Sequence, residues 1–334
     1  MMTRNKNLLL FALFAALGGL AFYFLKTKNT KNSRADNWDM QFAVPDANES
    51  VQKIRLTDRG GKQATLERQK DKSWTINGHY KARQTSADLL LETIRRVTVK
   101  YIPPNAAVEP MMTNLATYGI RVDIFGGGDK LIKTWYIGGV TADDRGSYMI
   151  MEGSNQPYVT HIPSEESQLR PRFILSEDDW RDRTVFEEKP EEITSISVEY
   201  PQYQGFSYNL NKVSAGNYSV EPFYKNQVVS PKPQTRGKAE SYLLMFEKLV
   251  AEGFENNNRL KDSVLTLVPF ASVTVKKTDG STENVRFYPV YPRDNDGNVI
   301  VPESTVPFNG KVERYFAYKE PTKDFYLMQH VVVG

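Results

Sequence analysis

Two stretches far apart in the chain carry one apolar pattern. Residues 86–99, SADLLLETIRRVTV, and residues 238–251, KAESYLLMFEKLVA, coincide when the first is shifted by 152 positions. Ala87, Leu90, Leu91, Ile94 and Val97 then fall on Ala239, Tyr242, Leu243, Phe246 and Leu249. Apolar residues at i, i+3, i+4, i+7 and i+10 make one stripe along a helix. The same amphipathic helix is therefore predicted twice.

Alternating patterns surround each helix. Ahead of the first, residues 51–56, 65–68 and 74–76 read as strands, with Asp58-Arg59-Gly60-Gly61 and Asn77-Gly78 as turns. After it, residues 110–118 read as a second helical piece stopped by Gly119. Strands at 120–125, 131–137, 148–151 and 158–162 follow, the first two joined through Gly126-Gly127-Gly128-Asp129. The second set repeats the order. Strands at 193–198, 206–210 and 218–220 precede the helix, and 273–275, 285–290, 314–318 and 325–331 follow it.

The fold class predicted is α+β. Two duplicated units, each an antiparallel β-meander with a helix packed on one face, stand behind one N-terminal transmembrane helix. The expected divisions are an anchor (1–25), a tether (26–50), a first unit (51–168), a connecting segment (169–190) and a second unit (191–334). In the connector, Ser176-Glu177-Asp178-Asp179 reads as a capping box opening a short helix that holds Trp180, Arg181 and Asp182.

Residues 8–25, LLLFALFAALGGLAFYFL, contain no charge. As a helix the run spans about 27 Å, close to the thickness of a bilayer's hydrocarbon core. Bases flank both ends and Tyr23 sits where an interfacial aromatic belongs. The rival reading is a cleaved signal peptide. The small-x-small site Gly19-Leu20-Ala21 would leave Phe-Tyr-Phe-Leu as the new terminus, and the run exceeds a typical signal core. A single-pass inner-membrane anchor is expected, in contact with membrane lipid. Four bases follow the span and two precede it, which does not favour an external body. N-terminal anchors commonly act as uncleaved export signals, and a periplasmic body is the expectation.

Charge changes the picture once the anchor is set aside. Residues 1–35 hold six of the chain's 43 bases and no acid, so the remainder has 37 bases against 40 acids. A faintly acidic body argues against nucleic acid as a partner. The chain has no cysteine, which removes disulfides, thiolate nucleophiles and cysteine metal sites.

Three segments, TSADLLLETIRRVTVK, YVTHIPSEESQLRPRFI and DDWRDRTVF, resemble a bacterial envelope family called domain of unknown function 4340. The resemblance runs from about residue 52 through 186 and is fainter over the second copy. Its strongest element is the inter-unit joint Trp180-Arg181-Asp182-Arg183. It implies duplicated α+β units behind a membrane segment, export, and company with an ABC-type transporter or other envelope machinery. It supplies no catalytic residues.

Candidate chemistry is sparse. His79, His161 and His330 lack metal-ligand spacing. Ser50-Val51-Gln52-Lys53 matches S-x-x-K but reads as the start of a strand, where alternate residues face opposite sides. The glycine run lacks a phosphate-loop frame. Asp294-Asn295-Asp296-Gly297-Asn298 reads as a turn rather than a calcium loop. Adjacent acids such as Glu187-Glu188 read as solvated loop residues. No cofactor and no catalytic residue is predicted. An aromatic run, Tyr200, Tyr203, Phe206, Tyr208, Phe223 and Tyr224, is divided between core packing and an interaction surface. The expected function is a non-enzymatic scaffold or accessory subunit binding envelope membrane proteins, transporter or secretion components. The alternatives are a periplasmic glycan- or peptide-binding module with a concave aromatic cleft, and a hydrolase with dispersed residues.

Overall fold

The computed structural model describes residues 37–165, 167–225, 237–291, 296 and 312–330. The predicted anchor, the tether up to residue 36 and most of the 294–298 turn lie outside them. The chain divides into two compact units, one ending at Trp180 and the next beginning at Arg181.

In the first unit, α1 (Ala47–Ser50) leads into β1 (Lys53–Thr57), β2 (Gln63–Arg68), β3 (Trp74–Ile76) and the two-residue β4 (Tyr80–Lys81). Then come α2 (Gln84–Arg96), β5 (Thr98–Tyr101) and α3 (Asn105–Tyr118). Strands β6 (Ile120–Phe125), β7 (Leu131–Val140), β8 (Ser147–Met151) and β9 (Tyr158–His161) follow, and α4 (Glu177–Trp180) closes the unit. The sheet order is β4-β3-β2-β1-β6-β7-β8-β9-β5.

Alternation decides which face is buried. Ile54, Leu66, Val122 and Trp135 point to one side and pack with Leu90, Leu91 and Ile94 of α2. Residues 37–44 join this core: Phe42 is fully buried, and the Val44 N–H bonds the Ile94 carbonyl at 2.9 Å. Lys133 holds the same segment through the carbonyls of Gln41 and Ala43, and Asp39 accepts hydrogen bonds from Ser154 and Tyr158.

The second unit opens with β10 (Thr184–Phe186), β11 (Ile193–Glu199), β12 (Tyr208–Ser214) and β13 (Asn217–Pro222). Helix α5 (Lys238–Leu244), β14 (Leu249–Val250), β15 (Gly253–Phe254) and α6 (Lys261–Leu265) follow. Strands β16 (Ala271–Lys277), β17 (Thr282–Val290), β18 (Arg314–Lys319) and β19 (Asp324–Gln329) complete it. The large sheet runs β13-β12-β11-β16-β17-β18-β19-β15, and β10 pairs with β14 separately. The chain is thus an α+β protein, mostly antiparallel sheet with few helices. Apart from β4, the two large sheets share one strand order, including a strand carried from the helix to the far edge, β5 in one and β15 in the other.

Several expectations are corrected. The predicted helix over 238–251 ends at Leu244, and Leu249–Val250 is a strand. Three successive i→i+3 bonds, from Met245, Phe246 and Glu247, tighten the chain out of the helix. The backbone beyond then bonds the β10 region: Glu188 N–H to the Phe246 carbonyl at 2.9 Å, and Ala251 N–H to the Arg183 carbonyl at 2.9 Å. The apolar stripe nevertheless faces inward, with Leu243 and Phe246 buried and Ala239, Tyr242 and Leu249 against the core.

Helix α3 begins five residues before Pro110, which lies inside it and lacks an N–H to donate. The second sheet face of the first unit is not left open throughout. Gly138 alternates with the buried Ile137, and a Cβ on it would meet Asn114 Oδ1 at 2.7 Å and Leu115 Cδ2 at 3.0 Å, so α3 covers the β7–β8 end of that face. Helix α4 stops at Trp180, one residue short of Arg181. Phe206 belongs to a 3-10 turn (Gln204–Phe206), not to the following strand. Ser50 ends α1 instead of beginning a strand.

Candidate functional site

The residues of the predicted joint serve two different units. Trp180 is fully buried in the first core, its indole Nε1 donating to the Ile174 carbonyl at 2.7 Å. Its own carbonyl accepts the Arg83 N–H at 2.7 Å. Arg181 is buried in the second unit. Its Nη2 donates to both carboxylate oxygens of the buried Asp324, at 2.8 and 2.9 Å. Its guanidinium lies 4.2 Å from the centre of the Phe254 ring, a cation–π arrangement in a desolvated place. Asn256 fixes Asp324 from another side at 3.2 Å. Asp182 caps the next turn through the N–H and hydroxyl of Thr184, at 3.1 and 2.7 Å. Arg183 reaches the Glu252 carbonyl. These four residues are structural fastenings, and they explain why the segment reads so distinctly in sequence.

The aromatic run is divided. Tyr208 packs inward and its hydroxyl donates to Tyr242 at 2.8 Å. Tyr200 and Tyr203 stand edge-on to Phe270, with centroids 5.5 and 6.5 Å apart. Burial pushes the Tyr200 hydroxyl up to about 12, helped by Tyr208 and Tyr315. Phe206 is exposed. Phe223 and Tyr224 form a half-buried edge-to-face pair at 5.0 Å, and the Tyr224 hydroxyl donates to Glu199 at 2.5 Å. Core packing thus absorbs Tyr200 and Tyr208, while Phe206, Phe223 and Tyr224 remain at the surface.

His161 and His330 belong to different units. Burial lowers the affinity of His161 for a proton, and the nearby Lys100 lowers it further. His330 stacks on Tyr315 at 5.8 Å. Among the described residues, no group of three or more His, Cys, Asp or Glu is placed to hold a metal ion. A shallow, open groove of about 680 Å³ runs beside the Gly126–Lys130 hairpin, lined by Glu49, Ser50, Gln52, Lys130, Leu131 and Ile132 among others. Lys53, the lysine of the S-x-x-K string, is paired with Glu67 and Asp129.

One acid that reads as solvated is not. Glu188 is only 4% exposed and pairs with Lys277 at 3.2 Å, in a cluster completed by Glu283 and Lys319. Desolvation pushes its carboxyl above the ordinary range. Four charges of alternating sign, brought together from residues 188, 277, 283 and 319, leave no signal in a local sequence window.

The outward faces of the two large sheets hold the remaining polar chemistry. In the first, the buried Asp123 accepts hydrogen bonds from Arg121 Nε at 3.0 Å and Thr134 at 2.7 Å, with Arg55 at 3.5 Å. Arg121 also donates to the Tyr136 hydroxyl at 3.0 Å. In the second sheet serine, threonine and asparagine take the places of these charges, with Glu199, Lys276 and Arg286 on the same face. Its Asn284 Nδ2 donates to Ser272 at 2.9 Å and Thr274 at 2.8 Å.

The fold is that of a two-unit α+β protein, mostly antiparallel sheet. The sequence pattern of the family described as Domain of unknown function (DUF4340) matches residues 74–266, more than half of the chain, and the chain belongs to that family. No curated protein and no solved structure matches it. The matched stretch starts at Trp74, passes through the joint and ends just after α6, so it reaches well into the second unit.

Proposed function

We propose that this chain is a membrane-tethered, exported, non-enzymatic scaffold or accessory subunit, built from two copies of one ancestral unit. It binds other envelope proteins, a transporter or secretion assembly, by strand addition at its sheet edges. The observation that carries this reading is the state of those edges. Outer strand β13 presents Val220 at 53% exposure, and outer strand β5 presents Tyr101 and the following Ile102 at 45% and 58%. Such an edge offers unpaired backbone donors and acceptors to another chain. The shared strand order supports duplication, and the uncharged run 8–25 supports a tether. The lack of metal-ligand spacing among His79, His161 and His330 supports a non-catalytic role.

The test is purification of the full chain from native membranes with a photo-crosslinking residue at Val220 or Ile102. A stoichiometric membrane protein, captured at these positions and not at an interior one, is expected. Isolation of the chain alone after crosslinking would overturn the proposal.

A further inference from the structure

Register makes the two sheets comparable residue by residue. Ile54 pairs with Leu66 and Ile124 in the first sheet, and Ile196 pairs with Leu210 and Val275 in the second. Neighbours of these anchors turn to the outward face. There the first sheet places Arg55, Glu67 and Asp123 where the second places Ser197, Asn211 and Thr274. In the same register Lys53 becomes Ser195 and Arg121 becomes Ser272. Every charge of the first sheet's ion network at these five places becomes a small neutral hydroxyl or amide.

The result is a polar platform on β13-β12-β11-β16-β17. One row across the strands reads Glu221, Asn209, Ser197, Thr274, Asn284, and the next reads Ser219, Asn211, Ser195, Lys276, Thr282. Adjacent members stand one strand spacing apart, about 4.8 Å. Asn284 is oriented by its bonds to Ser272 and Thr274. Among the described residues, nothing bonds the side chains of Ser195, Ser197 or Asn211. At the rim, Tyr224 is tied to Glu199, which shares this outward face, and offers a ring beside the polar rows.

We propose that this face binds a neutral, polyhydroxylated chain, a glycan strand laid across the second sheet. Sugar hydroxyls both donate and accept, as serine, threonine and asparagine do. Short side chains on a rigid sheet lose little freedom when they bond a ligand. The rows hold one acid and one base, Glu221 on β13 and Lys276 on β16, so neither sign is in excess to draw a polyanion or a polycation. A protein partner would meet no apolar centre of the kind interfaces carry. The proposal depends on neither the anchor nor the envelope partner, and its failure would leave the strand-addition reading untouched.

The test uses the full chain in a detergent without a sugar headgroup. Chitohexaose and cellohexaose serve as neutral probes, hexagalacturonate as the charged one, with binding read by calorimetry. Saturable binding of a neutral hexasaccharide at micromolar to millimolar concentration is expected. The Ser197→Arg, Thr274→Asp double variant rebuilds the pair that the first sheet holds as Arg55 and Asp123, and should weaken binding tenfold or more. The milder Ser195→Ala, Asn211→Ala double variant should weaken it severalfold without altering the thermal transition. No binding to either neutral probe, equal binding of hexagalacturonate, or unchanged affinity in the milder variant would each overturn the proposal. So would capture of a protein in place of a glycan by a photo-crosslinker at Ser197.

Discussion

Trp180 and Arg181 are consecutive residues, and the bond between them is where one compact unit ends and the next begins. Both side chains are buried, Trp180 among the first unit's apolar residues and Arg181 on Asp324 and Phe254 of the second. Their substitutions should therefore act on different parts of the chain. Trp180→Ala removes a large core side chain and its bond to Ile174, at a cost of about 3–5 kcal/mol. Arg181→Ala leaves the buried Asp324 short of its cation, also at about 3–5 kcal/mol. Hydrogen exchange resolved by peptide is the measurement. Loss of protection in β1, β2 and β6 is expected for the first variant, and in β18 and β19 for the second. The same pattern from both variants would refute the assignment.

Arg181 also allows a test of what its planar fork contributes. Arg181→Lys keeps a charge but not two directed donors or the stacking on Phe254. It should recover less than half of the stability lost in Arg181→Ala. An Arg181→Met, Asp324→Leu pair, which buries no unpaired charge, should exceed either single substitution in chemical denaturation. If the pair is as unstable as the two singles combined, the salt bridge is not the fastening described.

Gly138 sits where strand β7 passes under helix α3. Its extended neighbour Gly139 donates its N–H to Asn114 Oδ1 at 2.7 Å. A methyl group at 138 would push against that oxygen and against Leu115. Moving Asn114 aside breaks its bond to Gly139, so Gly138→Ala should destabilise the first unit by about 1–3 kcal/mol. A denaturation midpoint equal to that of the parent chain would show that α3 is not held this closely.

Much of this architecture is legible from residue patterns because it depends on local alternation. Ile54, Leu56, Leu66, Trp74 and Ile76 alternate with polar residues, and their strands follow. The helix at 84–96 declares itself through Leu90, Leu91 and Ile94. What stays hidden is set by distant partners. Leu249 and Val250 fit a helical stripe equally well, and only Thr184 and Phe186 make them a strand. The crossing of β5 to the far edge is fixed by Thr98 and Val99 meeting His161 and Thr160, some 60 residues on. The pairing of Arg181 with Asp324, 143 residues away, is of the same kind. The polar platform is invisible for the same reason: Ser197, Asn209 and Thr274 become one row only when three strands are aligned.

Asp123 makes the first unit sensitive to acid. Burial alone would raise its carboxyl, but hydrogen bonds from Arg121 and Thr134 and the charges of Arg121 and Arg55 outweigh burial and hold it below the ordinary value. A carboxyl whose folded pKa is depressed stabilises the protein fully above its unfolded value, about 3.9, and loses that contribution as pH falls through the folded value. Asp123→Asn should cost about 2 kcal/mol at neutral pH. It should also flatten the acid limb of the first unit's stability curve below about pH 4. A variant with an acid limb as steep as the parent's would place the sensitive group elsewhere.

At the alkaline end the second unit should respond through its tyrosines. Burial pushes the Tyr200 and Tyr315 hydroxyls up to about 12, with neighbouring tyrosines adding to the shift. The ordinary value is about 10. A group whose folded pKa is raised contributes stability that is complete below its unfolded pKa and is lost as pH rises through the folded one. The unfolded chain gives up these protons first, so stability should fall between about pH 10 and about pH 12. Tyr200→Phe removes one such group while keeping the ring against Phe270. It should stay flatter than the parent chain across that interval when denaturation is followed pH by pH. Absorbance of tyrosinate provides the second readout: the parent should show a late-ionising fraction that shrinks in Tyr200→Phe and again in the double variant with Tyr315→Phe. If all tyrosines ionise together near pH 10 in the folded chain, the aromatic cluster is open to water and the packing of Tyr200 on Phe270 is wrong.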